Sequence, residues 1–227
     1  MRRVILLALA AAACGDNTAG SVDAPRGPDA TGARDAPPRD GSGRPDLKLL
    51  AAQMDGTVVV TEDNFVADDC EIVEACVDAT GLRRLLRFDT VTENVGTADL
   101  DLGPTPPAGV SSGIFVWSPC HMHHHVAGFA DYELRDGSGV VARGRKQAFC
   151  LEDTEQVSPV PGHGYSCMNE GISVGWADVY SRYTQCQWID VTNVPSGTYT
   201  LSVTVDSSGV LPDADPTNNA WTTSVTL

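Results

Sequence analysis

Basic residues are scarce in this chain. Lys and Arg together number 15 against 30 Asp and Glu, a formal net charge of −15 over 227 residues. So few cations cannot build a stripe that neutralises phosphates, which excludes nucleic acid as a partner. Long apolar runs are missing too. Val4–Ala13 is apolar but too short to cross a bilayer. No long stretch repeats its apolar residues every 3.6 positions, which argues against a helical architecture. No Glu stands where a zincin motif would place one, which weakens a zinc hydrolase reading, and no internal repeat is visible. The acidic excess suits the steering of cationic substrates such as amines, or serves only to keep an exported protein soluble.

What is present begins with an export signal. Arg2 and Arg3 precede the apolar Val4–Ala13 segment, which ends in Ala11-Ala12-Ala13-Cys14-Gly15. Small residues ahead of a cysteine make residues 1–14 a lipoprotein-type signal, with Cys14 as the lipidated residue. Ala replaces the usual Leu at the first lipobox position, which leaves ordinary signal cleavage as the alternative. The expected location is the outer membrane or cell surface through a lipid anchor, otherwise the periplasm or the medium. Residues 15–44 are rich in Pro, Gly, Asp, Ala and Ser. Such a segment buries too little surface to offset its ordering entropy and is expected to be a disordered tether. Its coil-like reach is about 30 Å.

Residues 45–227 are expected to form one domain, an all-β fold with an antiparallel β-sandwich core and long loops. Apolar residues recur at period two or in short β-branched runs: Thr57–Thr61, Phe88–Val95, Ile114–Trp117, Tyr199–Val205 and Ala220–Leu227. Turn signals separate such runs, among them Asp136-Gly137-Ser138-Gly139 and Pro195-Ser196-Gly197. With Cys14 set aside, six cysteines remain: Cys70, Cys76, Cys120, Cys150, Cys167 and Cys186. An even count in an exported chain points to disulfides, but spacing cannot choose among about 15 pairings.

The sharpest local signal is Cys120-His121-Met122-His123-His124-His125, which holds four of the five histidines. On a strand, His121, His123 and His125 share one face and His124 points away. Neutral imidazoles suit copper, zinc, iron and nickel, and the pattern alone does not separate copper from zinc. Residues four apart on a flat strand lie roughly 13 Å from each other, so three rings meet at one ion only if the strand bends or ends there. The bland alternative is an exposed His-rich patch with adventitious affinity.

From Asp46 to Asn219 the sequence resembles the catalytic domain of the lysyl oxidase family. The resemblance rests on Pro45-Asp46-Leu47, Arg84-Leu85-Leu86-Arg87-Phe88, Gly96-Thr97-Ala98-Asp99, Cys120-His121-x-His123-x-His125 and Phe149-Cys150-Leu151-Glu152-Asp153-Thr154. Cys186-Gln187-Trp188-Ile189-Asp190-Val191-Thr192 and Asp215-x-x-Asn218-Asn219 complete it, in the family's order and approximate spacing. It implies copper at His121, His123 and His125. It implies a lysyl tyrosylquinone made by cross-linking Lys146 to Tyr180, a self-derived electrophile that no ordinary side chain offers. Asp178 then becomes either the base that takes the substrate α-proton or a partner of a copper histidine. The implied reaction is oxidative deamination of primary amines, peptidyl lysine or related, to aldehydes, consuming O2 and releasing H2O2 and ammonia. The other reading is a copper-binding surface lipoprotein without activity, which would have no use for both Lys146 and Tyr180.

The resemblance also implies disulfides Cys70–Cys120, Cys76–Cys186 and Cys150–Cys167. A further bridge of the animal relatives has no counterpart here: Trp176 and the region of Gln156 occupy its positions, which leaves residues 151–176 looser in expectation. A calcium site carries over to Asp46, the Leu47 carbonyl, Asp213, Asp215, Asn218 and Asn219, an oxygen-rich set that would clip the two ends of the domain together. An acidic turn without an ion is the alternative there.

Overall fold

A computed structural model of the chain describes residues 43–144 and 149–227. The 1–14 signal with Cys14, all but the last two residues of the 15–44 tether, and Lys146 lie outside the described residues. Within them the chain is antiparallel β, as expected. One four-stranded sheet has the order β1 (Leu47–Leu49), β4 (Thr90–Asn94), β12 (Trp176–Tyr180), β10 (Glu155–Gln156). A second has the order β15 (Ala220–Thr226), β14 (Thr198–Val205), β8 (Ala130–Asp136), β9 (Gly139–Arg143). Smaller sheets are β13 (Trp188–Asp190) with β3 (Gly81–Arg87) and β2 (Val59–Phe65), β11 (Asn169–Ile172) with β5 (Leu100–Pro104), and β6 (Phe115–Ser118) with β7 (His123–Val126). The helices among the described residues are single turns, α1 (Ala51–Met54) and α2 (Cys70–Val73).

The core joins both four-stranded sheets. Leu47, Val91 and Ala177 from the first meet Tyr132, Leu134, Leu201 and Val203 from the second. In β14 the period-two pattern holds, with Tyr199, Leu201, Val203 and Val205 buried. The Asp136–Gly139 turn signal closes the β8–β9 hairpin, where Gly139 takes φ 127° and Asp136 Oδ1 accepts the Ser138 N–H. Strand β4 breaks the apolar rule: Thr90, Thr92, Glu93 and Asn94 are all buried because β1 and β12 flank it. Asn94 saturates its amide, accepting from the Asp46 and Gly96 N–H groups and donating to the Ala98 and Ile172 carbonyls.

The three disulfides pair as the resemblance implies, with Cα–Cα separations of 5.7 Å for Cys70–Cys120, 5.4 Å for Cys76–Cys186 and 5.0 Å for Cys150–Cys167. The 151–176 segment is better tied than expected. Gln156 and Trp176 face each other across the β10–β12 register, and both side chains donate to the Val160 carbonyl at 2.9 Å. Asp153 adds four bonds, accepting from the N–H groups of Gly164, Tyr165 and Ser173 and from the Ser173 hydroxyl.

Candidate functional site

The histidine segment solves the reach problem by ending the strand. His123 and His125 alternate on β7, whereas His121 sits in the hairpin loop after β6. Met122 reverses the chain with φ 58°, and its N–H is bonded to the Ser118 carbonyl at 2.9 Å. The ring centroids of His121, His123 and His125 lie 5.6, 5.4 and 4.9 Å apart. Three imidazoles sharing one ion at about 2.0 Å per Fe-, Cu- or Zn-type M–N bond have centroids about 4.5–5.5 Å apart, a range that two of the three pairs meet and His121–His123 slightly exceeds. Among the described residues, the histidine trio is not one of the groups of three or more His, Cys, Asp or Glu whose ligand atoms all lie within 4.8 Å of one another; those groups are His123–Cys150–Cys167 and Glu74–Cys76–Cys186. Their sulfurs are tied up in disulfides. An ion would therefore draw the imidazole nitrogens together by side-chain rotation. His124 points away as expected: it is buried, edge-on to Trp117, with Nε2 2.8 Å from the Val110 carbonyl.

A left-handed backbone at a non-glycine residue costs about 1–2 kcal/mol, more at a β-branched one. Met122 is 70% exposed, so packing does not dictate its side chain. In urea unfolding, Met122→Gly is expected to exceed Met122→Ile in stability by about 1–2 kcal/mol. Equal stabilities would mean that the turn is not held at positive φ.

Tyr180 is buried on β12. Its hydroxyl lies 2.5 Å from Asp178 Oδ2 and 2.9 Å from the Cys150 carbonyl oxygen. A phenol has one proton to share between two acceptors. Burial pushes the Asp178 carboxyl well above the usual range, the hydrogen bond from Tyr180 opposing it. The contact to Asp178 is the shorter of the two. Burial and the neighbouring Asp178 raise the phenol's own pKa well above 10. Glu170 shares this chamber. It is fully buried, its Oε2 accepts the Leu151 N–H at 2.9 Å, and burial lifts its pKa to about 8.

Phe149 links the phenol to the imidazoles. Its ring stacks on Tyr180 at 4.4 Å and lies 6.2 Å from the His125 ring. The metal candidates and the quinone candidate are therefore one aromatic ring apart. Lys146 lies just before Phe149, outside the described residues. Glu74, Glu170 and Phe149 are the site residues that reading the sequence did not single out as functional. Phe149 stood in a family block, and Glu74 lies between Cys70 and Cys76, but neither position carries a local signal of its role.

At the domain ends, the calcium candidates converge. Asn218 Nδ2 donates to Asp46 Oδ1 at 2.9 Å, Asn219 Nδ2 donates to Asp213 Oδ2 at 2.6 Å, and the Leu47 N–H reaches Asp213 Oδ1. The amide oxygens of Asn218 and Asn219 are buried without a hydrogen-bond partner among the described residues. Two orphaned oxygens beside two carboxylates fit a hard cation. Asp215 is the exception, since its Oδ1 caps its own turn by accepting from Thr217.

Three disulfides and an imidazole trio one ring from a buried phenol–carboxyl pair mark out an antiparallel β domain of a distinctive class. Comparison with known proteins makes this specific. Residues 48–227 match the lysyl oxidase family model, and the chain belongs to the lysyl oxidase family. Similar proteins include lysyl oxidase homolog 2 of Xenopus tropicalis, 36% identical over 188 residues, covering 77% of this chain and 24% of that protein. Lysyl oxidase homolog 3 of Homo sapiens is 37% identical over 188 residues with 77% and 24% coverage, and lysyl oxidase homolog 2 of Homo sapiens is 34% identical with 77% and 23%. The chain thus spans about a quarter of the length of the curated relatives it matches.

Proposed function

We propose that the chain is a copper-dependent amine oxidase whose quinone cofactor forms from Lys146 and Tyr180. The observation that carries this reading is the packing of His121, His123 and His125 one ring away from a buried tyrosine. Copper held by these imidazoles and the quinone would together supply an electrophilic carbonyl and a two-electron sink, so that RCH2NH2, O2 and H2O become RCHO, NH3 and H2O2. The chain's own groups supply the rest. Asp178 Oδ2 stands 2.5 Å from Tyr180 Oη in a buried chamber, and burial raises its affinity for protons, the direction that suits a general base. The net charge of −15 draws cationic amines, peptidyl lysine or smaller, toward the surface. Export with Cys14 as the lipid-bearing residue is part of the reading, and three disulfides support an oxidising compartment. No helix among the described residues is long and apolar enough to cross a membrane.

Quinone redox staining of protein expressed with copper tests the reading, with Lys146→Met and Tyr180→Phe as controls. Staining and amine-dependent peroxide are expected in the parent chain alone, and both are expected to vanish from copper-free expression. Equal staining in all three proteins would leave a copper-binding surface protein without oxidase activity. Peptide mapping by mass reads the Lys146–Tyr180 cross-link and the lipid on Cys14 in the same sample.

The end-to-end oxygen cluster is assigned to calcium on the same footing. Calcium at about 100 times its Kd is expected to stabilise the fold by about 2.7 kcal/mol, and Asp213→Asn to remove the effect. A melting temperature indifferent to calcium and to chelator would rule the ion out.

A further inference from the structure

We infer that Glu74 is a positioning residue for the copper site: it holds the His121 ring through Nε2, so that Nδ1 is the nitrogen left to face a metal. This rests on the copper reading above and adds a residue to it. Glu74 follows α2 and lies between Cys70 and Cys76. Those cysteines bridge to Cys120, which adjoins His121 in sequence, and to Cys186 in the β13 region. Two covalent staples thus fix the glutamate backbone beside the histidine loop.

The contacts form a closed ring. Glu74 Oε2 lies 3.0 Å from His121 Nε2, Glu74 Oε1 accepts the Ser118 hydroxyl, and Ser118 Oγ accepts the His121 N–H at 3.1 Å. Both histidine and glutamate side chains are only about one-sixth exposed. With Glu74 Oε1 already accepting the Ser118 hydroxyl, the contact at Oε2 is accounted for as a hydrogen bond from Nε2–H. That fixes one tautomer and leaves the Nδ1 lone pair as the available donor. Holding the other nitrogen of a ligating histidine in this way sets ring orientation and raises ligand basicity. Backbone and ring of His121 are anchored by the same two side chains, which offsets the lack of a strand at that position.

The test is Cu2+ affinity by competition with a chromophoric chelator, read together with the electron paramagnetic resonance spectrum. Every variant is made on the Tyr180→Phe chain, where quinone formation cannot enter. Glu74→Ala is expected to weaken copper binding about 10–100-fold. Glu74→Gln keeps an acceptor oxygen at the same reach and is expected to stay within a few-fold of the parent with a near-parent spectrum. Glu74→Asp keeps the charge but shortens the arm, and is expected to bind more weakly than Glu74→Gln. This ordering of two near-isosteric variants remains readable if Glu74→Ala does not fold. Parent-like affinity in all three overturns the inference. So does a Gln variant as weak as Ala with a changed spectrum, which would make Glu74 a direct ligand, or an Asp variant tighter than Gln, which would make charge alone the cause. A parent chain that binds no copper sinks the functional reading together with this one, so the two failures are told apart.

Discussion

Removing the Cys76–Cys186 bridge by double replacement with alanine is expected to cost about 4 kcal/mol of unfolding free energy. The bridge closes 110 residues of chain, a loop whose closure entropy corresponds to about 4.7 kcal/mol. The Cys70–Cys120 bridge already shortens the path between the two cysteines, which brings the figure down to about 4. Packing adds to this. Cys76 and Cys186 are buried among Phe65, Val77, Leu85 and Trp188, a second core separate from that between the large sheets. The Trp188 indole N–H donates to the Cys76 carbonyl, and the Arg87 guanidinium lies 4.2 Å over its ring. Urea unfolding followed by tryptophan fluorescence measures the loss. The Cys150–Cys167 double variant, closing only 17 residues, is expected to lose less, about 3 kcal/mol. A Cys76–Cys186 variant within about 1 kcal/mol of the parent would show that sheet packing alone holds the second core.

Period-two patterning made β14 and β15 legible because one face of each meets the core and the other meets water. The same rule misleads at β4, whose Thr90, Thr92, Glu93 and Asn94 are buried by neighbours far away in sequence. His121, His123 and His125 were legible as a trio because their spacing is local. The means of bringing His121 to the others was not, since it depends on Met122 taking a backbone conformation that methionine rarely adopts. Glu74 lies 47 residues before His121, and disulfides on either side of it bring it there. Glu170 was equally silent. In sequence it is an acid between Asn169 and Gly171, which reads as solvated surface, and only the β11–β5 pairing shows otherwise.

That pairing leads to the other large effect: Glu170→Gln is expected to flatten the fall of stability with rising pH. The β11–β5 register shifts between Glu170 and Gly171, and such a bulge re-aims side chains. Here Glu170 ends fully buried, with Oε2 accepting the Leu151 N–H and Oε1 lacking a hydrogen-bond partner among the described residues. Desolvation dominates the Leu151 bond and moves its pKa from 4.5 to about 8. The sign follows from proton counts. Between those values the folded chain keeps a proton that the unfolded chain has released, so stability falls as pH rises, by up to about 1.4 kcal/mol per pH unit. Below pH 4.5 both states are protonated and the penalty is absent. Asp178, also raised by burial, adds a slope of the same sign, so the Gln variant retains part of the dependence. A glutamine oxygen can still accept the Leu151 N–H, and its amide imitates the protonated acid. The variant should therefore match the parent near pH 5 and exceed its stability at pH 8. The consequence reaches the Tyr180 pocket, because an ionised Glu170 would raise the Tyr180 pKa further. Urea unfolding of both proteins at pH 5, 6.5 and 8 decides the matter, and parallel stability curves would mean that Glu170 is ionised in the folded chain throughout.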